Sequence, residues 1–130
     1  MNLIIAGCRD FTDRDFIYEG IDSFITDHGT PDLIIEGGAT GVDRIAGEYA
    51  RDHNIPLRIF KADWNKYGRV AGPIRNEKMA RYVFDRICRY SEHGYLLAFW
   101  DGKSRGTKNM IEKAQRYGLT IIMKILKIDA

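Results

Sequence analysis

The chain has 130 residues, 45% of them hydrophobic and 29% charged, with a formal net charge of +2. That length predicts one domain, residues 1–130, built on a single core. The balanced charge offers no broad basic field for duplex nucleic acid, no apolar run approaches the roughly 18 residues of a membrane span, and the two cysteines, Cys8 and Cys88, fit neither a zinc motif nor a disulfide framework.

A cytoplasmic, reducing setting is therefore expected, without a signal peptide. The three histidines have no metal-ligand spacing, so no metal and no cofactor is expected.

The first apolar run, Leu3–Ala6, is short and unbroken, and reads as a strand buried on both faces. It ends in Gly7-Cys-Arg-Asp10, where Arg9 is either an anion clamp fixed by Asp10 or half of a surface ion pair. Phe16, Ile17, Ile21, Phe24 and Ile25 recur at helical spacing. Thr12 with Asp15 makes the expected capping pair, and Gly29 and Pro31 end the helix.

A second strand, Leu33–Ile35, runs into Glu36-Gly-Gly-Ala-Thr-Gly-Val-Asp43. A tight turn needs one glycine, whereas this loop has Gly37, Gly38 and Gly41. It is expected to cradle a phosphate. Thr40 supplies a hydroxyl or a helix cap, and Asp43 accepts from a ribose hydroxyl or caps the helix. Val42, Ala46, Tyr49, Ala50 and His53 form that helix's stripe.

A third strand, Leu57–Phe60, leads into a long connection, Lys61 to Pro73. Loops of more than about 12 residues are uncommon in compact domains and are often functional. Asp63, Trp64 and Tyr67 offer a carboxylate and flat rings for a base, although aromatics are more often packing. Arg75 and Asn76 follow, in or near the first turn of a helix carrying Met79, Ala80, Val83, Phe84 and Ile87. An arginine there opposes the helix dipole, which suggests that it faces something anionic.

The fourth strand, Tyr95–Trp100, ends in Asp101-Gly-Lys-Ser-Arg-Gly-Thr107. Ser104, Arg105, Gly106 and Thr107 could surround a phosphate with hydroxyls, a guanidinium and free amides. A helix with Met110, Ile111 and Ala114 follows, then a fifth strand, Leu119–Ile125. Alternating strands and helices predict a three-layer α/β/α sandwich on a mainly parallel sheet of about five strands. The glycine loops then share the carboxyl end of the sheet, where such folds bind ligands. Neither a P-loop nor a Gly-x-Gly-x-x-Gly is present, which argues against an ATPase, a GTPase or ordinary NAD binding.

Five motifs occur in order: Gly7-Cys-Arg-Asp-Phe11, Gly37-Gly-Ala-Thr-Gly-Val-Asp43, Ala62-Asp-Trp-Asn-Lys-Tyr-Gly68, Ala71-Gly-Pro-Ile-Arg-Asn-Glu-Lys-Met79 and Ser104-Arg-Gly-Thr107. Together they resemble the YspA/YpsA-related branch of the SLOG superfamily of bacteria and phages. The superfamily also includes the SMF/DprA DNA-processing proteins and the Lonely Guy enzymes. The resemblance implies a Rossmann-like fold that binds a nucleotide or nucleotide-derived ligand, as sensor or sequestering protein. It also implies that a homo-oligomer is common among relatives.

Two alternatives follow from it. One is a Lonely Guy-like nucleotide N-glycosidase, in which Arg75-Asn-Glu-Lys-Met79 matches the motif arginine run and Ser104-Arg-Gly-Thr107 the core of the glycine motif. The position of that motif's glutamate is Met110, so catalysis would need Arg75 and a substitute carboxylate, Glu77 foremost, or Asp43, Asp63 or Asp101. The other is single-stranded DNA binding, which the low net charge opposes.

Overall fold

A computed structural model of the protein describes residues 1–126. Five strands, β1 (Asn2–Gly7), β2 (Leu33–Glu36), β3 (Leu57–Ile59), β4 (Gly94–Trp100) and β5 (Thr120–Ile125), form one sheet in the order β3-β2-β1-β4-β5. Every adjacent pair is parallel. The α-helices among the described residues are α1 (Arg14–His28), α2 (Val42–Asp52), α3 (Trp64–Tyr67), α4 (Ala71–Tyr90) and α5 (Arg105–Arg116). The fold is Rossmann-like α/β.

Strand periodicity divides the core into two layers. Leu3 and Ile5 of β1 join Ile34, Leu97 and Phe99 under the apolar stripes of α1 and α2, including Ile17, Ile21, Val42 and Tyr49. Ile4 and Ala6 join Ile35, Leu96 and Ala98 on the opposite face, under Met79, Ala80 and Val83 of α4 and Met110, Ile111 and Ala114 of α5. Each fully buried aliphatic side chain of this kind stabilises the fold by roughly 1.5–3 kcal/mol. Phe99 is fully buried, and truncating it to alanine should cost roughly 3–5 kcal/mol.

The strand order reverses between β1 and β4. The loops that leave these two strands diverge, and a crevice opens between them at their carboxyl ends.

Three local expectations need correction. Asp13, not Thr12, caps α1, accepting from the Phe16 N–H at 3.1 Å. Thr40 does not cap α2. The cap position is Gly41, at φ 72°, and a Cβ there would meet the Cys8 and Arg9 carbonyl oxygens at 2.5 and 2.3 Å. Gly41 therefore serves chain approach, and the α2 Val42 N–H donates to the Cys8 carbonyl at 3.3 Å.

The expected loop from Lys61 to Pro73 is mostly helical: α3, then a 3-10 turn at Gly68–Val70, then α4 from Ala71. Pro73 sits in the first turn of α4, where no backbone N–H is needed. Arg75 consequently lies in the second turn of α4, near the first.

Candidate functional site

The crevice between β1 and β4 holds a cavity of about 820 Å³. Its floor is apolar, built from Ala6, Met79 and Met110, and Phe11 lends it a ring. Its polar wall comes from four segments that are distant in sequence: Arg9, Asp10 and Asp13 after β1, Asp43 of α2, Arg75 and Asn76 of α4, and Asp101, Lys103, Ser104, Gly106 and Thr107 after β4.

The α5 side of the cleft is made by a two-stage turn. The Asp101 carboxylate accepts the Lys103 and Ser104 N–H groups, each at 2.8 Å, and these bonds hold it below the usual carboxylate range. The Trp100 indole N–H donates to the Ser104 carbonyl at 3.1 Å. Ser104 then caps α5, with a long 3.5 Å contact from the Thr107 N–H. First-turn N–H groups of a helix have no intrahelical acceptor, and of Arg105 and Gly106 it is Gly106 that lines the cleft.

Gly106 is exposed, and a Cβ built on it would meet nothing within 4 Å. Neither packing nor backbone conformation calls for a glycine at this position.

The Glu36–Asp43 loop works differently. The Glu36 carboxylate, 3% exposed, accepts the Gly38 N–H. Asp43, 5% exposed, accepts the Ala39 N–H at 3.2 Å, and the Gly37 N–H also favours its charged form. The loop's amides therefore face its own two carboxylates. Its Gly37 carbonyl accepts from Arg75 Nη1 at 2.5 Å. A Cβ on Gly37 would lie 2.6 Å from that nitrogen and 2.9 Å from an Asp43 oxygen. Gly37 is the space into which Arg75 and Asp43 pack.

Burial sets the electrostatics here. It pushes Glu36 up to about 7, against the Gly38 N–H and the more distant Arg51 and Arg75, while the Asp43 charge adds to the rise. Burial likewise raises Asp43, opposed by the Ala39 N–H and by Arg75. Burial lowers Arg75, opposed by Asp43. Asn76 completes the junction: it accepts from Arg75 Nε at 2.9 Å and donates to the Gly106 carbonyl at 3.3 Å and to Asn109 at 3.0 Å. One hydrogen-bonded chain thus runs from the β2 loop through Arg75 and Asn76 to the α5 terminus.

Of the residues expected at a ligand site, Gly7, Arg9, Asp43, Arg75, Asn76, Asp101, Ser104, Gly106 and Thr107 line this cleft. Gly7 also has a packing role, since a Cβ there would meet Val42 and the Phe99 carbonyl oxygen at 2.6 Å. Gly37, Gly38, Thr40 and Trp64 line a smaller neighbouring pocket instead, together with Arg9 and Arg75.

Gly41, Asp63 and Arg105 line neither, and nor does Glu77. Asp63 caps α3, accepting from the Lys66 N–H at 3.1 Å. Glu77 accepts from the Tyr117 hydroxyl and pairs with Lys113 at 3.2 Å, between α4 and α5. The Tyr117 bond, with Lys113, holds its carboxyl below the ordinary range, which is wrong for a proton donor. Glu77 thus ties α4 to α5.

Other expectations resolve similarly. Trp64 is not core, being 48% exposed, and it carries the Arg9 guanidinium 5.2 Å above its ring. Among the described residues no Arg9–Asp10 ion pair forms. Cys8 is buried in the wall with its thiol pushed up by burial, as befits a packed residue.

Sequence reasoning missed Phe11, Lys103, Met79 and the buried Glu36. Phe11 and Lys103 lie inside loops already singled out and could have been found there. Glu36 had no signal beyond its place at the end of an apolar run.

Residues 1–67 match the YspA, cpYpsA-related SLOG family. The Gene 61 protein of Mycobacterium phage D29 is 31% identical over 127 residues, covering 92% of this chain and 93% of that one. The chain belongs to the YspA, cpYpsA-related SLOG family.

Aconitate hydratase A from Staphylococcus aureus strains MW2 and N315 is 41% identical over 66 residues, which is 51% of this chain and only 6% of that enzyme. That likeness concerns a short segment of a much longer protein. The family match spans the β1 and β2 loops and Trp64, whereas the phage protein also matches across the half that holds Arg75 and the α5 terminus. Membership in a SLOG family suggests a nucleotide-related small-molecule ligand. No described helix is long and apolar enough to cross a membrane.

Proposed function

We propose that this SLOG protein binds a nucleotide or nucleotide-derived ligand in the β1–β4 cleft, acting as a sensor or sequestering protein. The ligand phosphate lies against the α5 terminus, on the Gly106 amide and the Ser104 and Thr107 hydroxyls. Arg9, Arg75 and Lys103 supply positive charge. The base lies on Ala6, Met79 and Met110 beside Phe11, and Asp10 takes a ribose hydroxyl.

The observation that carries this reading is Gly106. A Cβ at this position in the first turn of α5 would meet nothing within 4 Å. A glycine that no backbone constraint demands is accounted for by a ligand that must come close.

A thermal-shift panel of nucleoside monophosphates, followed by chromatography of the mixtures, tests the proposal. The expected result is stabilisation by one or more nucleotides with no free base released. No stabilisation by any member would contradict it. Arg75→Lys keeps the charge and loses the fork that reaches the Gly37 carbonyl and Asn76, so it should weaken the shift.

A nucleotide N-glycosidase is the second reading, and Asp43 favours it. It is a buried carboxylate on the cleft wall, beside Arg75, with its proton affinity raised by burial. Against it, Met110 occupies the floor, and two backbone amides already engage Asp43. Release of base that Asp43→Asn abolishes would decide for the enzyme.

A further inference from the structure

The net charge of +2 conceals an uneven distribution. On one side of the sheet, α1 carries four carboxylates against one arginine and α2 three against two, a sum of −4. On the other side, α4 carries five cationic side chains against two carboxylates and α5 four against one, a sum of +6. The two helix layers are opposite in sign, so the small net charge does not describe the field over α4 and α5.

The outer stripe of α4 is Lys78, Arg81, Asp85 and Arg89, all exposed. Asp85 lies four positions from each arginine, the spacing at which helical ion pairs form. Among the described residues it pairs with neither, and Arg81, Arg89 and the neighbouring Arg116 of α5 have no ion-pair partner.

Aromatic rings flank this stripe. On the β3 side, the Arg58 guanidinium lies 4.7 Å from the centre of the Phe60 ring and 4.4 Å from that of Tyr82. No described carboxylate pairs with Arg58, so the rings are what hold it. Further along, Arg86 lies 5.0 Å from the Tyr90 ring centre and is engaged by Glu92 at 2.7 and 2.9 Å. On the α5 side, Phe84 meets Tyr117 with ring centroids 5.3 Å apart. Tyr90 is 61% exposed and Phe84 38%. A charged helix face that meets only water has no use for such rings. Arg81, Phe84, Arg89, Tyr90 and Arg116 line neither the cleft nor the smaller pocket.

Unpaired cations interleaved with exposed rings suit a single nucleic-acid strand. The cations follow its phosphates, and its unpaired bases lay their faces on the rings. A duplex hides those faces, and an acidic peptide has none to offer. We infer that the α4–α5 face binds single-stranded nucleic acid, with Arg58, Arg81, Arg89 and Arg116 on the phosphates and Tyr90 and Phe84 as stacking platforms. This surface is separate from the cleft, so the nucleotide reading and this one stand or fall independently.

The test is fluorescence anisotropy of the full chain with a labelled oligothymidylate of about 16 nucleotides. An oligouridylate of equal length separates DNA from RNA, and the oligothymidylate paired with its complement supplies the duplex. At least one single strand should bind. Its affinity should fall roughly fiftyfold between about 50 and about 200 mM salt, as one phosphate contact for each of the four arginines implies. Replacing Arg81 and Arg89 together by Gln should weaken binding and roughly halve the salt slope. Tyr90→Ala should weaken it at least about fivefold and leave the slope unchanged. These three side chains are exposed, and unchanged melting temperatures check that the variants fold.

If neither single strand binds at about 50 mM salt, the inference is wrong. Duplex binding as tight as that of the single strand, or equal competition by polyglutamate, would show a surface that selects only charge and would overturn it too. If Arg75→Lys or a saturating nucleoside monophosphate abolishes binding while the Arg81 and Arg89 substitutions do not affect it, the strand sits in the cleft and not on this face.

Discussion

Two glycine-rich loops at the same end of the sheet do opposite things with their amides. The Glu36–Asp43 loop turns them inward, onto its own buried carboxylates. The Asp101–Thr107 loop uses the Asp101 carboxylate to shape its turn and brings Gly106, in the first turn of α5, to the cleft. Counting glycines cannot separate the two. What separates them is whether the residue ahead of the turn brings a carboxylate under the loop or beside it. The first loop is a rigid, internally satisfied mount for Arg75, and the second is the anion-facing surface.

The largest expected effect breaks the first loop. Asp43→Ala would remove the acceptor for the Ala39 N–H and leave the part-buried Arg75 charge without its nearest counter-charge. Leaving buried donors unsatisfied in this way costs roughly 1–3 kcal/mol each, which urea denaturation would register.

Next comes Glu36. Its folded pKa is raised, from 4.5 to about 7, so the folded protein holds a proton that the unfolded chain has released. The stability this confers is present below about pH 4.5 and is lost as the pH rises to about 7. Glu36→Gln should flatten that dependence and leave the variant more stable than the parent above pH 7, by up to about 3 kcal/mol. Melting curves from pH 5 to 8 check the slope. A parent protein whose stability rises over this range would contradict the assignment.

A third prediction contrasts the two loops directly. Gly37→Ala should cost roughly 1–3 kcal/mol, because the new Cβ meets the Arg75 guanidinium. Gly106→Ala, in open space at a helix start, should be neutral or stabilising by up to about 1 kcal/mol. Smallest is Ser104→Ala, which removes the α5 cap and should cost about 1 kcal/mol, lessened by the length of the contact.

The fold was readable because its strands are unbroken apolar runs that alternate with helical stripes, which implies a mainly parallel sheet of about five strands; the strand order β3-β2-β1-β4-β5 was not legible. The site was readable only in part. Ser104, Gly106, Arg75 and Asn76 are local to helix starts and carry local signals. The partners that give them meaning are not local: Arg75 meets Gly37 across 38 positions and Asn76 meets Gly106 across 30. The segment after Lys61 misled because Gly68, Gly72 and Pro73 read as loop residues, although Pro73 falls where a helix tolerates it. Glu77 lies two positions from Arg75 in sequence, but Tyr117 and Lys113 draw it to the α4–α5 interface.

The most direct test of the α5 terminus as the anion site is a calorimetric titration of the parent and Gly106→Ala with the nucleoside monophosphate that stabilises the parent best. The account predicts at least a tenfold loss of affinity in the variant, with a melting temperature equal to or above that of the parent. Unchanged affinity in a normally folded Gly106→Ala protein would contradict it.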